Sequence, residues 1–199
     1  IADFLNELID KNQRLKVRIQ KTNAGISATQ NLAVEIACGE FIAFLDCDDE
    51  LEPGALTAIR TCIEENTSVD YIFTDRTDMD ETGKTVRVAH YGGYSNIHFS
   101  RQESIRSDLL DGMVASHLKV IRRSVYKEVN GSDAEFSGVQ DWELALKIAE
   151  KHRLYYLNKP LYRHRVHNKS VKNSNAVAQF RKSNIVRRRY ATRWFKNPA

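Results

Sequence analysis

Four acidic residues stand close together directly after an apolar run. Asp46, Asp48, Asp49 and Glu50 follow residues 41–45, Phe-Ile-Ala-Phe-Leu, which have the composition of a buried strand. Carboxylates this close repel one another, so a divalent cation would stabilise the cluster, and oxygen ligands favour Mg²⁺ or Mn²⁺ over zinc. The alternative is a polar loop that caps the next helix, with Asp48 or Asp49 near its positive end.

The elements around this cluster alternate between helices and strands. The spacing of apolar residues predicts helices over 1–12, 27–38 and 53–65, and strands over 15–20, 41–45 and 71–73. We expect the 41–45 strand to be buried on both faces. The alternation is typical of an α/β layer with a mostly parallel sheet flanked by helices. In such sheets ligands bind at the carboxyl ends of the strands, where the acidic cluster lies.

The second half of the chain is less regular. Residues 80–83 have the composition of a hairpin turn, and residues 89–108 predict a loop with one short helix. Further strands are predicted over 114–121, 154–157 and 161–166, and further helices over 124–129, 141–151 and 176–195.

Composition excludes several classes of protein. The chain of 199 residues has the length of one domain, and its three cysteines show no metal-ligand spacing, so we expect a reducing, cytoplasmic setting. No apolar run is as long as a membrane span. The net charge of +4 comes largely from seven basic residues within 181–196. Only Tyr190, Trp194 and Phe195 offer stacking surfaces beside those cations, so we expect no nucleic-acid partner.

Four short motifs follow one another in a fixed order along the chain. They are residues 23–27, Asn-Ala-Gly-Ile-Ser, with Asn31; residues 39–51, Gly-Glu-Phe-Ile-Ala-Phe-Leu-Asp-Cys-Asp-Asp-Glu-Leu; residues 139–144, Val-Gln-Asp-Trp-Glu-Leu; and residues 161–170, Leu-Tyr-Arg-His-Arg-Val-His-Asn-Lys-Ser. Together they resemble the motifs of family 2 glycosyltransferases, which have the GT-A (Rossmann-like) fold. The members that look most similar build bacterial surface polysaccharides.

The resemblance implies a binding site for a sugar nucleotide and a metal ion. Asp48 is the expected direct ligand of Mn²⁺ or Mg²⁺, with Asp46 and His167 completing the metal site; a surface histidine in a basic turn is the alternative for His167. The expected donor-binding residues are Asp46, Asp49, Asn23, Gly25 and Arg165. A UDP-sugar is the commonest donor in the family, and a glycan or a lipid-linked acceptor is expected.

The resemblance also implies an inverting reaction that needs one general base. Asp141 is the candidate, because a carboxylate is favoured at the start of a helix and the acceptor hydroxyl must lose its proton. A plain N-cap role is the alternative for Asp141. For the whole domain, the alternative is a non-catalytic module with the same fold that binds a nucleotide sugar or a carbohydrate.

Two features depart from the family pattern. Thr29 and Gln30 replace the usual Ala-Arg, and the family's first strand, helix and second strand, which end in Asp-Asp-Gly-Ser, have no counterpart. We therefore expect residues 1–172 to form an N-terminally incomplete GT-A domain that lacks the first strands. Residues 173–199 are expected to form a basic helix. It either leads into a further domain or lies peripherally on the inner face of the plasma membrane.

Overall fold

The computed structural model describes residues 2–91, 102–167 and 176–196. Its helices are α1 (Ala2–Lys11), α2 (Ile26–Ile36), α3 (Ala55–Glu65), α4 (Gln102–Asp111), α5 (Arg123–Glu128), α6 (Gln140–Ala149) and α7 (Ala176–Lys196). Its strands are β1 (Phe41–Phe44), β2 (Glu50–Leu51), β3 (Tyr71–Met79), β4 (Thr85–Ala89), β5 (Lys119–Arg122) and β6 (Leu154–Arg165), and a short 3-10 helix spans Ala134–Phe136.

The strands form one mixed sheet with helices packed against it. The order is β1-β5-β3-β6-β2, and β4 pairs with β3 outside this path. The predicted α/β class is confirmed. The expectation of a mostly parallel sheet is met only in part, because the sheet is mixed and β3 and β6 form the one parallel pair among the described strands. The hairpin at residues 80–83 contributes to this difference, because so short a turn joins antiparallel strands.

Two predicted strands differ from what the structure shows, and in both cases the reason is a missing neighbouring strand among the described residues. Residues 15–20 are irregular rather than a strand, because no described strand pairs with them. The strand predicted over 41–45 forms as β1, but it is only partly buried: Ala43 is exposed, and its neighbours are half-buried. β1 lies at the edge of the described sheet with β5 as its one neighbour, so it is not covered on both faces as expected.

The longest strands are positioned by a core on both sides of the sheet. Along β3, Tyr71 and Phe73 point into one apolar cluster and Ile72 into the other, as alternation along a strand requires. The first cluster lies under α4, α6 and α7, and the second under α3. The strands predicted over 154–157 and 161–166 are a single strand, β6, whose pairing with β3 shifts register near Pro160.

The basic helix α7 spans nearly the predicted residues. Its inner face belongs to the first core cluster through Val186 and Tyr190, and the Tyr190 hydroxyl donates a hydrogen bond of 2.7 Å to the buried Glu143 carboxylate. Its outer face exposes Arg181 and Arg188. Membrane contact through this face stays a prediction. Within the described ranges, no helix is long and apolar enough to cross a bilayer.

Candidate active site

The acidic cluster forms a turn that hydrogen bonds attach to residues of β6. The chain turns after β1, where the Asp49 amide donates to the Asp46 carbonyl at 3.2 Å. The buried Tyr162 hydroxyl accepts a hydrogen bond from the Asp46 amide at 3.2 Å and donates one to Asp49 Oδ2 at 2.6 Å. The Arg165 amide donates to Asp49 Oδ1 at 2.7 Å. Both oxygens of Asp49 therefore anchor the turn to β6.

The end of β6 also brings a histidine to the acidic turn. His167 Nε2 lies 3.1 Å from Asp48 Oδ2, although the two residues are 119 positions apart in sequence. Their side chains keep 30% and 47% of their surface exposed, so both remain open to a ligand. A carboxylate and an imidazole side by side suit a divalent ion that takes its other ligands from substrate and water. Within the described part of the chain, no group of three or more His, Cys, Asp or Glu residues is arranged to hold a metal ion.

Arg165 is engaged with the protein around the same turn. Its guanidinium donates to the carbonyl oxygens of Asp48, Asp80 and Glu81 at 2.9 to 3.2 Å, and it pairs with Glu50 at 2.9 Å. Arg165 therefore joins the acidic turn to the β3–β4 hairpin. A direct contact with the donor stays a prediction.

A cavity of about 520 Å³ lies beside the acidic turn, and three of the predicted donor-binding residues line it. Asn23, Gly25 and Asp46 line it together with the N-terminal turn of α2. The Gly25 amide donates to Asn23 Oδ1 at 2.9 Å, and Gly25 has a φ of +83°, which a residue with a side chain would rarely adopt. The free amide groups at a helix N-terminus favour an anionic ligand in such a cavity.

A second cavity, of about 600 Å³, contains the candidate base. Asp141 is in the first turn of α6, and it lines this cavity with Trp142, His117 and His164. The Trp142 indole donates to the Leu109 carbonyl at 2.6 Å, which fixes the start of α6 against α4. Residues of α7 form another part of the wall. The two cavities are neighbours, because the consecutive residues 137 and 138 line one each.

A buried lysine links the two halves of the site. Lys119 is 3% exposed, and its Nζ lies 2.7 Å from Asp141 Oδ1. Asp46 is exposed as a residue, but the protein around its carboxyl group displaces water and raises the pKa of that group. The positive charge of Lys119 opposes this shift. The negative charges of Asp49, Asp141 and Asp48 add to it. Burial and the hydrogen bond to Asp49 raise the pKa of the Tyr162 hydroxyl, so Tyr162 stays neutral.

Sequence reasoning missed Lys119 and Tyr162. Both belong to strands, and neither stands out by its type or spacing in the sequence. A lysine directly before the apolar residues Val120 and Ile121 of a strand was the one available signal for Lys119. Tyr162 lay within a recognised motif, but nothing local indicated that its hydroxyl reaches Asp46 and Asp49.

The architecture described above is that of GT-A glycosyltransferases. It matches the structure of S. aureus TarS residues 1–349 in complex with UDP-GlcNAc with a TM-score of 0.66, at 19% sequence identity, over 91% of this chain and 52% of that one. The sequence model described as Glycosyl transferase family 2 matches residues 1–129. The chain therefore belongs to glycosyl transferase family 2, and the resemblance seen in the sequence is confirmed.

Similar proteins include a chondroitin synthase and a putative glycosyltransferase. The chain is 28% identical over 176 residues to the chondroitin synthase of Pasteurella multocida (strain Pm70), covering 86% of this chain and 17% of that protein. It is 31% identical over 176 residues to the putative glycosyltransferase EpsH of Bacillus subtilis (strain 168), covering 85% of this chain and 49% of that protein. The chain thus spans less than half the length of either relative.

Proposed function

We propose that this domain transfers a sugar from a nucleotide-diphosphate donor to a hydroxyl acceptor, with inversion, in polysaccharide or glycoconjugate synthesis. The observation that carries the proposal is the pair of neighbouring cavities. One contains Asp46 beside the start of α2, and the other contains Asp141. A transferase needs these two places, one for an anionic donor and one for an acceptor beside a base. A UDP-sugar is the proposed donor, since UDP-GlcNAc binds the similar TarS domain.

On the donor side, the residues of the acidic turn would hold the diphosphate end of the donor. Asp48 and His167 are the proposed ligands of a Mn²⁺ or Mg²⁺ ion, which when bound would offset the negative charge that develops on the leaving diphosphate. Asp49 would act indirectly, because both of its oxygens hold the turn in place. Asn23 and Gly25 would fix the loop before α2, whose N-terminal amides favour the anionic donor.

On the acceptor side, Asp141 would be the general base. It would take the proton of the acceptor hydroxyl while that oxygen forms a bond to the anomeric carbon. The bond from the anomeric carbon to the diphosphate breaks in the same step, and its electron pair leaves with the diphosphate. One displacement on one face of the sugar inverts the anomeric centre.

The test is nucleotide release by the full-length protein from a panel of UDP-, GDP- and dTDP-sugars, with Mn²⁺ or with a chelator. We expect metal-dependent turnover of one donor, and a loss of at least about 10²-fold in kcat for Asp141→Asn. Glu64→Gln is the matched control, because Glu64 is an exposed acid on α3 and should leave turnover unchanged. Nucleotide binding without turnover, in the presence of a wide set of acceptors, would support the non-catalytic module instead. Turnover that Asp141→Asn leaves intact would contradict the role of Asp141.

A further inference from the structure

We propose that Lys119 is a positioning residue for the general base: its buried ammonium group holds the Asp141 carboxylate in place beside the acceptor cavity. The inference rests on the proposed function of Asp141. It concerns a residue that lies beneath the site and lines neither cavity.

The position of Lys119 is fixed by the sheet. It is the first residue of β5 and pairs with Phe44, the last residue of β1, directly before the acidic turn. Its Nζ lies 5.8 Å from the centre of the Phe44 ring and 2.7 Å from Asp141 Oδ1. Because β5 pairs with strands on both sides, the lysine backbone has little freedom to move. The ammonium group is therefore held at the junction of the acidic turn and α6.

The burial of this charge has a physical consequence. An ammonium group at 3% exposure is strongly disfavoured unless an anion compensates it, and Asp141 is its ion-pair partner. The lysine and Asp141 are therefore held together as a partly buried ion pair.

The same contact also orients the carboxylate. With Oδ1 held by Lys119, Oδ2 is the oxygen that would meet an acceptor hydroxyl in the cavity. The Asp141 side chain is 27% exposed, so only part of it is accessible to an acceptor in the cavity. A carboxylate fixed by one strong contact loses less freedom when the reacting groups align. Lys119 would therefore affect the chemical step more than donor binding.

The experiment compares Lys119→Met, Lys119→Arg and Asp141→Asn with the combined Lys119→Met and Asp141→Asn variant, all in the full-length protein with Mn²⁺. We expect Lys119→Met to lower kcat about 10- to 100-fold, while the donor KM and the Kd for UDP change less than twofold. Lys119→Arg should recover most of the loss, because it keeps the charge. Once Asp141 is Asn, Lys119→Met should lower the residual kcat no further, since the lysine acts through that carboxylate.

Three results from the kinetic and binding measurements would overturn the proposal. They are an unchanged kcat in Lys119→Met, an equal kcat loss in the Asp141→Asn background, and a Kd for UDP that weakens more than kcat falls. The last result would place the action of Lys119 on the donor side. Melting temperatures of the same variants test the ion pair without any activity. If the wild-type protein turns over no donor, the proposed function fails, whereas additive melting-temperature changes would refute the pairing itself.

Discussion

Tyr162 offers the sharpest test of how the fold holds the acidic turn. Its hydroxyl is buried and makes two hydrogen bonds, one from the Asp46 amide and one to Asp49 Oδ2, at 3.2 and 2.6 Å. Tyr162→Phe removes that single oxygen and keeps the ring, which stacks on His117 with 4.7 Å between centroids. The change therefore isolates the two hydrogen bonds from the packing.

The size of the effect follows from the charge on Asp49. A hydrogen bond to an ionised group contributes about 1.5–3 kcal/mol, and the Asp46 amide also loses a partner. We therefore expect Tyr162→Phe to lower the free energy of unfolding by about 2–3 kcal/mol. For a domain of this size, 1 kcal/mol corresponds to about 2–4 °C, so the melting temperature should fall by about 4–12 °C.

The assay is urea unfolding and thermal melting of the wild type, Tyr162→Phe and the control Tyr155→Phe. Tyr155 lies on the same strand and is partly buried, and within the described structure its hydroxyl makes no hydrogen bond. We expect the control to change stability by less than about 0.5 kcal/mol, with the urea m-value unchanged in both variants. Equal losses in the two variants would refute the reasoning, because removal of any tyrosine hydroxyl would then explain the effect.

Two further predictions concern the stability of the fold. Burial opposes the ionisation of Asp78, but the hydrogen bond from Arg87 and the charges of Arg76, Arg87 and His164 together outweigh it and lower the pKa of Asp78. Because its pKa is lower in the folded state, ionised Asp78 stabilises the fold at pH values above the ordinary carboxyl pKa. Asp78→Asn should therefore lower the free energy of unfolding by about 2–3 kcal/mol at pH 7, and this loss should shrink as the pH falls below about 4. A cost independent of pH in urea unfolding would contradict the assignment. Gly131→Ala should cost more than about 1 kcal/mol by thermal melting, because Gly131 has a φ of +62° and a new Cβ would lie 2.7 Å from the Tyr126 ring. Gly112→Ala is its control, since a Cβ there meets nothing within 4 Å; equal melting temperatures for both would refute the argument.

The sequence by itself determined the local elements and the types of residue at the site. The apolar run before the acidic cluster predicted β1, and the helical spacing of the last segment predicted α7 to within one residue of Ala176–Lys196. These succeed because the spacing of apolar residues within a short segment indicates whether that segment forms a helix or a strand. The ordered motifs named Asp48, Asp141 and His167 as candidates. Their catalytic and metal-binding roles stay predictions.

Only the tertiary structure decided which of these residues meet. The mixed direction of the sheet, the irregular path of residues 15–20 and the single long strand β6 all depend on which strands pair, and strand pairing joins backbone groups far apart in sequence. The same holds for the contact between Asp48 and His167, which are 119 residues apart. Lys119 was not recognised from the sequence, because its importance lies in its burial beside Asp141. Periodicity reports which side of an element is buried, but it does not report what lies against that side.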